Sequence, residues 1–279
     1  MSLETCIGPE LDIFEETSEH ANRIVVNSPI LSHKKFNLLI KNKKFKVKRF
    51  LLEYEREDSL EESLIKLCED VLASVMESYS IIVLDEKQTS FNKPVIPALL
   101  ATSAIHNYLI KNNQRVSCNI IVNTASARDT HQIACLIGFG ATCVHPWLGL
   151  QTVLKIGKQR ELDSPGNELC ASYRKSLNNG LLKIMSKMGI SNISSYRGAG
   201  LFEVVGFSEK INKVCFPKNE TLIFGDCFKD IERKSLEVID SDKDSKILPK
   251  GLHKFVHGGE EHAYQPGVVI ELQLSLIHI

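Results

Sequence analysis

The sequence predicts an α/β protein whose core is a parallel sheet of strand–helix units. Residues 80–84 form an apolar run too continuous for a strand with one solvated face, and 117–123 and 141–145 are predicted as the next strands. Helical periodicity separates these strands, so the crossovers are right-handed and the sheet is open or half-barrel-like. The pattern weakens after residue 206, which predicts a mostly helical or irregular connection.

The predicted helices follow from apolar spacing and from signals at their ends. Ser59 and Glu62 form a capping box before an apolar stripe, which predicts a helix over 59–78. Pro97 suits the first turn of a helix that extends to about Lys111. A further helix is expected over 128–137. Residues 156–168 are predicted to form a polar connection, followed by a helix that extends to about Met188. Gly180 within that helix predicts a close packing contact or a kink.

The basic segment 33–50 has two interpretations. Lysines interleaved with Phe36, Phe45 and Phe50 are compatible with nucleic-acid contact. The alternative is a short helix followed by an amphipathic strand with a solvated basic face. The second is favoured because the whole chain balances 34 basic against 34 acidic residues. We therefore predict no nucleic-acid partner, and we predict that residues 24–26, before Pro29, form a short edge strand.

Composition excludes several classes of function. The chain is 43% hydrophobic and 24% charged, as in ordinary globular proteins. No apolar run has the length of a membrane span and no signal peptide is visible, so we expect no membrane partner. Eight cysteines without a CxxC pair predict reduced, buried thiols. The three histidines and two glutamates within 253–266 lack metal-site spacing, so we predict no metal.

Polar side chains stand at the ends of three neighbouring predicted strands. They are Asp85, Asn123 and His145. Because ligands of parallel sheets bind at the carboxyl ends of the strands, these side chains form a candidate polar edge. The alternative is that each simply caps the following loop. They do not form a catalytic triad, since no serine or cysteine nucleophile is placed with them.

A second candidate site lies between two buried-looking elements. Ser195 and Arg197 are surrounded by glycines, which let the backbone approach a phosphate or carboxylate while arginine supplies a fork of donors. The alternative is a tight helix–turn–helix with a surface arginine. Spacing alone favours the alternative.

Several ordered stretches resemble the glutamate synthase family. LLKIMSKMGIS (181–191) and SYRGAGLFEVVG (195–206) resemble the link between the central domain and the flavin barrel. IPALLATSAIHNYLI (96–110) and VHPWLGLQT (144–152) resemble the central domain itself. The resemblance implies a central domain at 1–206, a linker and approach to the FMN-binding barrel at 207–273, and a tail at 274–279 that need not be native.

The resemblance also implies a role. In this family glutamine is hydrolysed at one site, and ammonia passes through a tunnel to 2-oxoglutarate. The resulting imine is reduced by hydride from FMN, which receives its electrons from an iron–sulfur cluster. This chain would then carry no catalytic residue and bind no cofactor. Met1 and Ser32 would lie at the tunnel constriction. The family usually has an acid where this chain has Asn123, and an asparagine where it has His145.

The implied partners are the amidotransferase and FMN barrel domains of the parent chain. Ferredoxin or a small NAD(P)H-oxidising subunit would supply its electrons, in the cytoplasm or a plastid. The chain would be a fragment of that parent. The rival interpretation is an independent α/β binding or regulatory module. A compact pocket at the polar edge would favour the module, and a large exposed apolar face near 181–206 or the C-terminus would favour the fragment.

Overall fold

A four-stranded parallel sheet forms from the predicted strands. The computed structural model describes residues 1–12, 14–87, 92–161, 164–219, 221–240, 255–258 and 263–277. Two short strands, β1 (Thr5–Ile7) and β2 (Ile24–Val26), pair antiparallel with each other. The parallel sheet has the order β3 (Val47–Leu51), β4 (Ile81–Asp85), β5 (Asn119–Thr124) and β6 (Cys143–Pro146). The α/β class and the predicted strands, including the edge strand at 24–26, are confirmed.

The register of the sheet aligns the carboxyl ends of its central strands. Asp85 is opposite Asn123, and Asn123 is opposite His145. Every residue of β4, β5 and β6 is buried, whereas β3 is only partly buried. Full burial of a parallel strand explains why its sequence is continuously apolar instead of alternating.

Helices cover both faces of the sheet. On one face, α1 (His33–Ile40) packs Phe36 and Leu39 against Ile81, Val83 and Ile121. The opposite face carries the larger apolar core. It is covered by helices that include α2 (Leu60–Met76), α3 (Ala98–Lys111) and α4 (Thr130–Gly138). These four helices correspond to predicted ones. The Ser59 side chain accepts from the backbone N–H of Glu62, which is the N-cap half of the predicted capping box. The complete reciprocal box occurs at the start of α4, between Asp129 and Gln132.

One sequence prediction is wrong. The supposed polar connection at 156–168 begins inside a helix, α5 (Trp147–Gln159). Leu150 and Gly157 are its buried residues. Lys158 and Gln159 are good helix formers, so the polar composition of this stretch does not end the helix before Gln159. The following helix, α6 (Gly166–Met188), ends at Gly189, which has a φ of 70°. This left-handed cap confirms the predicted end at Met188.

The contact expected at Gly180 is present. A Cβ atom at Gly180 would lie 2.9 Å from Cβ of Thr130 on α4, and closer still to the other side-chain atoms of Thr130. The missing side chain therefore lets α4 and α6 approach closely.

The core of the sheet domain continues beyond residue 206. After α7 (Ile193–Tyr196) come α8 (Glu209–Cys215) and α9 (Phe228–Asp240). Four side chains of this region are buried in the core: Ile211, Cys215, Phe216 and Phe228. The boundary predicted at 206 stays a prediction.

Contacts divide the chain into two compact units, residues 1–239 and 240–279. The second unit contains α10 (Pro266–Ile277), whose apolar side chains are exposed, among them Ile270, Leu272, Leu274 and Leu276. In the part of the chain that the structure describes, no helix combines the length and apolar character needed to cross a bilayer.

Candidate functional site

Asp85, Asn123 and His145 form one hydrogen-bonded chain across three strand ends. Asn123 Nδ2 donates to Asp85 Oδ1 at 2.7 Å, and His145 Nδ1 lies 2.6 Å from Asn123 Oδ1. The three side chains are almost completely buried, at 0%, 0% and 2% exposure. The parallel register thus brings together the polar edge that the sequence indicated. A ligand role for these residues stays a prediction.

An ion pair anchors one end of this chain. Arg49 Nε on β3 contacts Asp85 Oδ2, and the backbone N–H of Lys87 donates to Asp85 Oδ1 at 2.6 Å. Arg49 is partly exposed, at 32%, while the Asp85 carboxylate is inaccessible. The pair compensates the buried negative charge, which would otherwise be strongly unfavourable.

His33 extends the chain at the other end. Its Nδ1 atom lies 2.9 Å from His145 Nε2, and the two rings meet edge to face with centroids 4.8 Å apart. Phe36, one turn further along α1, stacks on His145 at a centroid distance of 4.4 Å. Sequence reasoning missed His33 and Arg49, because neither stands at the carboxyl end of a predicted strand.

The hydrogen-bond directions follow from the anchored end. The carboxylate of Asp85 can only accept, so the amide nitrogen of Asn123 faces it and Oδ1 faces His145. His145 Nδ1 must then carry the proton, which leaves Nε2 as an acceptor for His33 Nδ1–H. The Nε2 atom of His33, the last of the chain, is therefore a bare lone pair while both rings are neutral.

The surroundings keep both imidazoles neutral. Burial, followed by the neighbouring His33, Lys87 and Arg174, lowers the pKa of His145 to about 3. Burial and then Lys87 also lower the pKa of His33. The arrangement provides neutral donors and acceptors. Among the described residues, no serine or cysteine nucleophile belongs to this series of hydrogen-bonded side chains.

Glu86 holds the loop after β5 in place. Its carboxylate accepts from Thr124 Oγ1 at 2.8 Å and from the backbone N–H groups of Ala125 and Ser126. This residue was also missed. Asp85 directly follows the apolar run and was therefore recognised as a candidate. Glu86 was not, because its partners lie 38 to 40 residues further along the sequence.

Ser195 and Arg197 lie in different environments. Ser195 is exposed on α7, which Asn192 caps through a 2.9 Å bond to the backbone N–H of Ser194. Arg197 is half-buried instead of being a surface arginine, and its Nε atom has no hydrogen-bond partner among the described residues. Burial lowers its pKa, against the opposing influence of Cys143, Glu10 and Cys6. An anion site at this turn stays a prediction.

Met1 and Ser32 are anchored by different elements. Ser2, next to Met1, donates its backbone N–H to Ser191 after α6 at 2.8 Å, and Met1 itself is 64% exposed. Ser32 caps α1 by accepting from the backbone N–H of Lys35 at 3.3 Å. Ser32 directly precedes His33, which contacts the polar edge. The tunnel role of Met1 and Ser32 stays a prediction.

Metal ligands do not cluster in the described ranges. No group of three or more His, Cys, Asp or Glu side chains that could hold an ion occurs there. Residues 253, 254 and 259–262 of the histidine-rich segment lie outside the described part of the chain. All eight cysteines are free thiols, and four of them are fully buried: Cys68, Cys118, Cys143 and Cys215.

Comparison with known proteins identifies the family. The family model described as the glutamate synthase central domain matches residues 1–208. The chain belongs to this family.

Glutamate synthases from plants and bacteria are among the relatives. The chain is 32% identical over 288 residues to the chloroplastic ferredoxin-dependent glutamate synthase of Oryza sativa subsp. japonica, covering 95% of this chain and 18% of that protein. It is 31% identical over 276 residues to the NADPH glutamate synthase large chain of Bacillus subtilis, covering 98% of this chain and 18% of that protein. The chain thus spans less than a fifth of the length of these relatives.

Among solved structures, a mutant flavocytochrome b2 with benzoylformate aligns with a TM-score of 0.41 and 16% identity. The alignment covers 61% of this chain and 38% of that one.

Proposed function

We propose that this chain is the connecting domain of a glutamate synthase, which holds the glutaminase and 2-oxoglutarate sites in register and forms part of the wall of the ammonia tunnel. The observation that carries the proposal is the family match over residues 1–208, together with relatives of which the chain covers only 18%. The remaining domains of such a parent would supply the chemistry. The boundaries proposed are 1–206 for the connector and 207–273 for the approach to the barrel.

The polar edge and the exposed helix α10 support this proposal over an independent binding module. The side chains of the polar edge are buried and bonded to one another, instead of lining an open pocket. The exposed apolar side chains of α10, such as Ile270 and Leu272, are the kind of surface that another domain covers. A wall that excludes water suits ammonia transfer, because ammonia that reaches bulk water becomes protonated and is lost to the reaction.

In this proposal the chain contributes shape but no reactive group. FMN and the iron–sulfur cluster would bind to other parts of the parent, with ferredoxin or a NAD(P)H-oxidising subunit as the electron source. The relatives named chloroplastic make a plastid one location for the parent, with the cytoplasm as the other.

The isolated chain provides the first test. We expect it to be colourless and to form neither glutamate nor ammonia from glutamine and 2-oxoglutarate with reduced ferredoxin or NADPH. Flavin absorbance in the purified chain, or release of ammonia from glutamine, would contradict the proposal.

The full-length enzyme provides the second test. Ser32→Trp would narrow the proposed conduit, so that less glutamate forms per glutamine hydrolysed and the difference appears as free ammonia. Ser176→Trp is the matched control, because Ser176 is an exposed residue of α6. Equal coupling in the two variants would argue against Ser32 as part of the wall.

A further inference from the structure

A cleft with apolar walls lies between α2, α3 and the end of α8. Its volume is about 500 Å³, within the range of about 300–1,000 Å³ that is typical of small-molecule sites. Apolar side chains from all three elements line this cleft: Ile65, Tyr108, Ile110, Val214 and Pro217. The three side chains of the polar edge do not line it. The cleft is therefore separate from the site described above.

The most deeply buried part of the cleft is uncharged. Cys68 and Ala104 line it there, at 4% and 2% exposure. Burial, followed by the neighbouring Glu69, raises the pKa of the Cys68 thiol to about 12. The thiol is therefore protonated at neutral pH and behaves as a small apolar group. An apolar part of a ligand can enter this region without losing hydrogen bonds.

Hydrogen bonds fix two of the walls relative to each other. The backbone carbonyl of Cys215, at the end of α8, accepts from the Ser103 hydroxyl and from Asn107 Nδ2 on α3. The second of these bonds is 3.0 Å long, and Asn107 Nδ2 also lies 2.9 Å from the carbonyl of Ser103. Because α3 is joined to α8 in this way, the cleft exists before a ligand enters, and binding costs less ordering of the protein.

Three lysines also line the cleft. They are Lys111, Lys213 and Lys218, and all are exposed. Lys213 pairs with Glu209 at 2.7 Å, but the two side chains are 73% and 69% exposed, so the pair is weak. In the part of the chain that the structure describes, Lys111 and Lys218 form no hydrogen bond or ion pair. The whole chain has a formal net charge of zero, so this local excess of positive charge favours an anion.

We propose that the cleft binds a small amphipathic carboxylate, whose apolar body packs between Ile65, Ile110 and Val214 while the carboxylate pairs with the lysine ammonium groups. An uncharged apolar molecule would leave the lysines without a counter-ion. A small inorganic anion would leave the apolar walls in water. A ligand with both parts uses both features of the cleft. The inference goes beyond the proposed connecting function and does not depend on it.

Isothermal titration calorimetry of the 279-residue chain tests this assignment. Octanoate is the probe, 1-octanol carries the same apolar body without the charge, and acetate carries the same charge without the apolar body. We expect octanoate to bind saturably at a single site, octanol to bind at least severalfold more weakly, and acetate not to bind. Added sodium chloride should weaken the binding of octanoate but not of octanol, because salt screens the contribution of the lysines.

Two sets of variants locate the binding site. Lys111→Gln combined with Lys218→Gln should weaken octanoate severalfold and leave octanol unchanged. Ile65→Glu places a charge in the apolar wall and should weaken both ligands severalfold. Its matched control is Ile156→Glu on α5, which should change neither, because Ile65 and Ile156 are 40% and 42% exposed. Both isoleucines are partly exposed, so these variants are expected to fold.

Three results would overturn the inference. The first is the absence of saturable octanoate binding. The second is equal affinity for octanoate and octanol together with no effect of the lysine substitutions, which would indicate apolar adsorption alone. The third is octanoate binding that Ile65→Glu leaves unchanged, which would place the ligand on another surface of the chain.

Discussion

The Nδ1 atom of His145 lies 2.6 Å from the Oδ1 atom of Asn123, and this bond joins the ends of two neighbouring strands. It exists because the parallel register places residue 123 directly opposite residue 145. It also determines which nitrogen of His145 carries the proton. The Asp85 carboxylate, paired with Arg49, can only accept hydrogen bonds, so the Asn123 amide turns its oxygen towards His145 Nδ1–H. The hydrogen bonds through Asn123, His145 and His33 therefore connect neutral side chains, and each donor points towards Asp85. The orientation of these hydrogen bonds depends on the Asn123 amide.

Replacement of Asn123 by leucine should destabilise the protein by about 1–3 kcal/mol, because a buried imidazole N–H then loses its acceptor. The change in the free energy of unfolding is measured from the urea midpoint, with the slope of the transition checked for a two-state process. Asn37→Leu, at an exposed position of α1, is the control and should change stability by no more than about 0.5 kcal/mol. Equal effects of the two substitutions would contradict a structural role of the hydrogen-bonded chain.

The lowered pKa of His145 should make stability fall in acid. Folded His145 has a pKa of about 3, whereas histidine in an unfolded chain titrates near about 6.5. Between these values the unfolded state binds a proton here and the folded state does not, so stability decreases as pH falls through this window. For this residue alone the loss from about pH 7 to about pH 5 should be about 2 kcal/mol.

The share of His145 in this pH dependence is measured by comparing variants. His145→Asn should flatten the plot of unfolding free energy against pH, although buried His106, whose pKa is also lowered to about 3, keeps part of the slope. Asn37→Leu, at an exposed position without a titratable group, is the control and should leave the shape of the plot unchanged. A wild-type slope in His145→Asn would show that His145 is not held neutral by its surroundings.

The sequence could predict the polar edge because only local information was required. Asp85, Asn123 and His145 each end an apolar run, and parallel strands align such ends. His33 and Arg49 could not be found in this way. Arg49 reaches Asp85 from inside an amphipathic strand, and His33 approaches from a helix 112 positions earlier in the chain than His145. Their contribution depends on how α1 and β3 pack, which no spacing pattern records.

The helices also differ in how much of their structure local sequence signals determine. α2 and α3 carry apolar stripes and end signals that fix them locally. α5 was not predicted, and its last turn was assigned to a polar connection that includes Lys158 and Gln159, although both residue types have high helix propensity. Arg197 shows the limit of the sequence pattern in another way. An arginine among glycines suggests a surface turn, whereas this side chain is half-buried in the structure.

Gly180→Ala should destabilise the protein by about 1–3 kcal/mol through overpacking, even though alanine favours the helix by about 1 kcal/mol. The added methyl group would collide with Thr130, whose Cβ is 2.9 Å from its position. Thr130→Ala in the same chain removes the two closest atoms and should recover part of the loss. A double-mutant cycle measured by urea unfolding gives this coupling, and purely additive effects would exclude a direct contact between α4 and α6 at this point.

Arg115→Lys should destabilise the protein by at least about 2 kcal/mol, because the three acceptors of this arginine are fixed and only a planar fork reaches all of them. Its Nε donates to His106 Nδ1, and its two terminal nitrogens donate to the carbonyls of Cys118 and Gly140, each at 2.8 Å. A lysine ammonium cannot span these positions and would leave buried acceptors unpaired. The control is Arg160→Lys on an exposed arginine after α5, expected to change stability by no more than about 0.5 kcal/mol.

Thermal unfolding and urea unfolding of Arg115→Lys should agree in sign, and His106 provides a second readout. Arg115 donates to His106 Nδ1, so the proton of neutral His106 resides on Nε2, and burial together with Arg115 lowers the pKa of this histidine to about 3. Loss of the fork frees Nδ1, so Arg115→Lys should raise the pKa of His106 and weaken its tautomeric preference, as seen by ¹⁵N NMR. If stability fell while the His106 tautomer stayed fixed, the arginine would act through the two carbonyls alone and not through the imidazole.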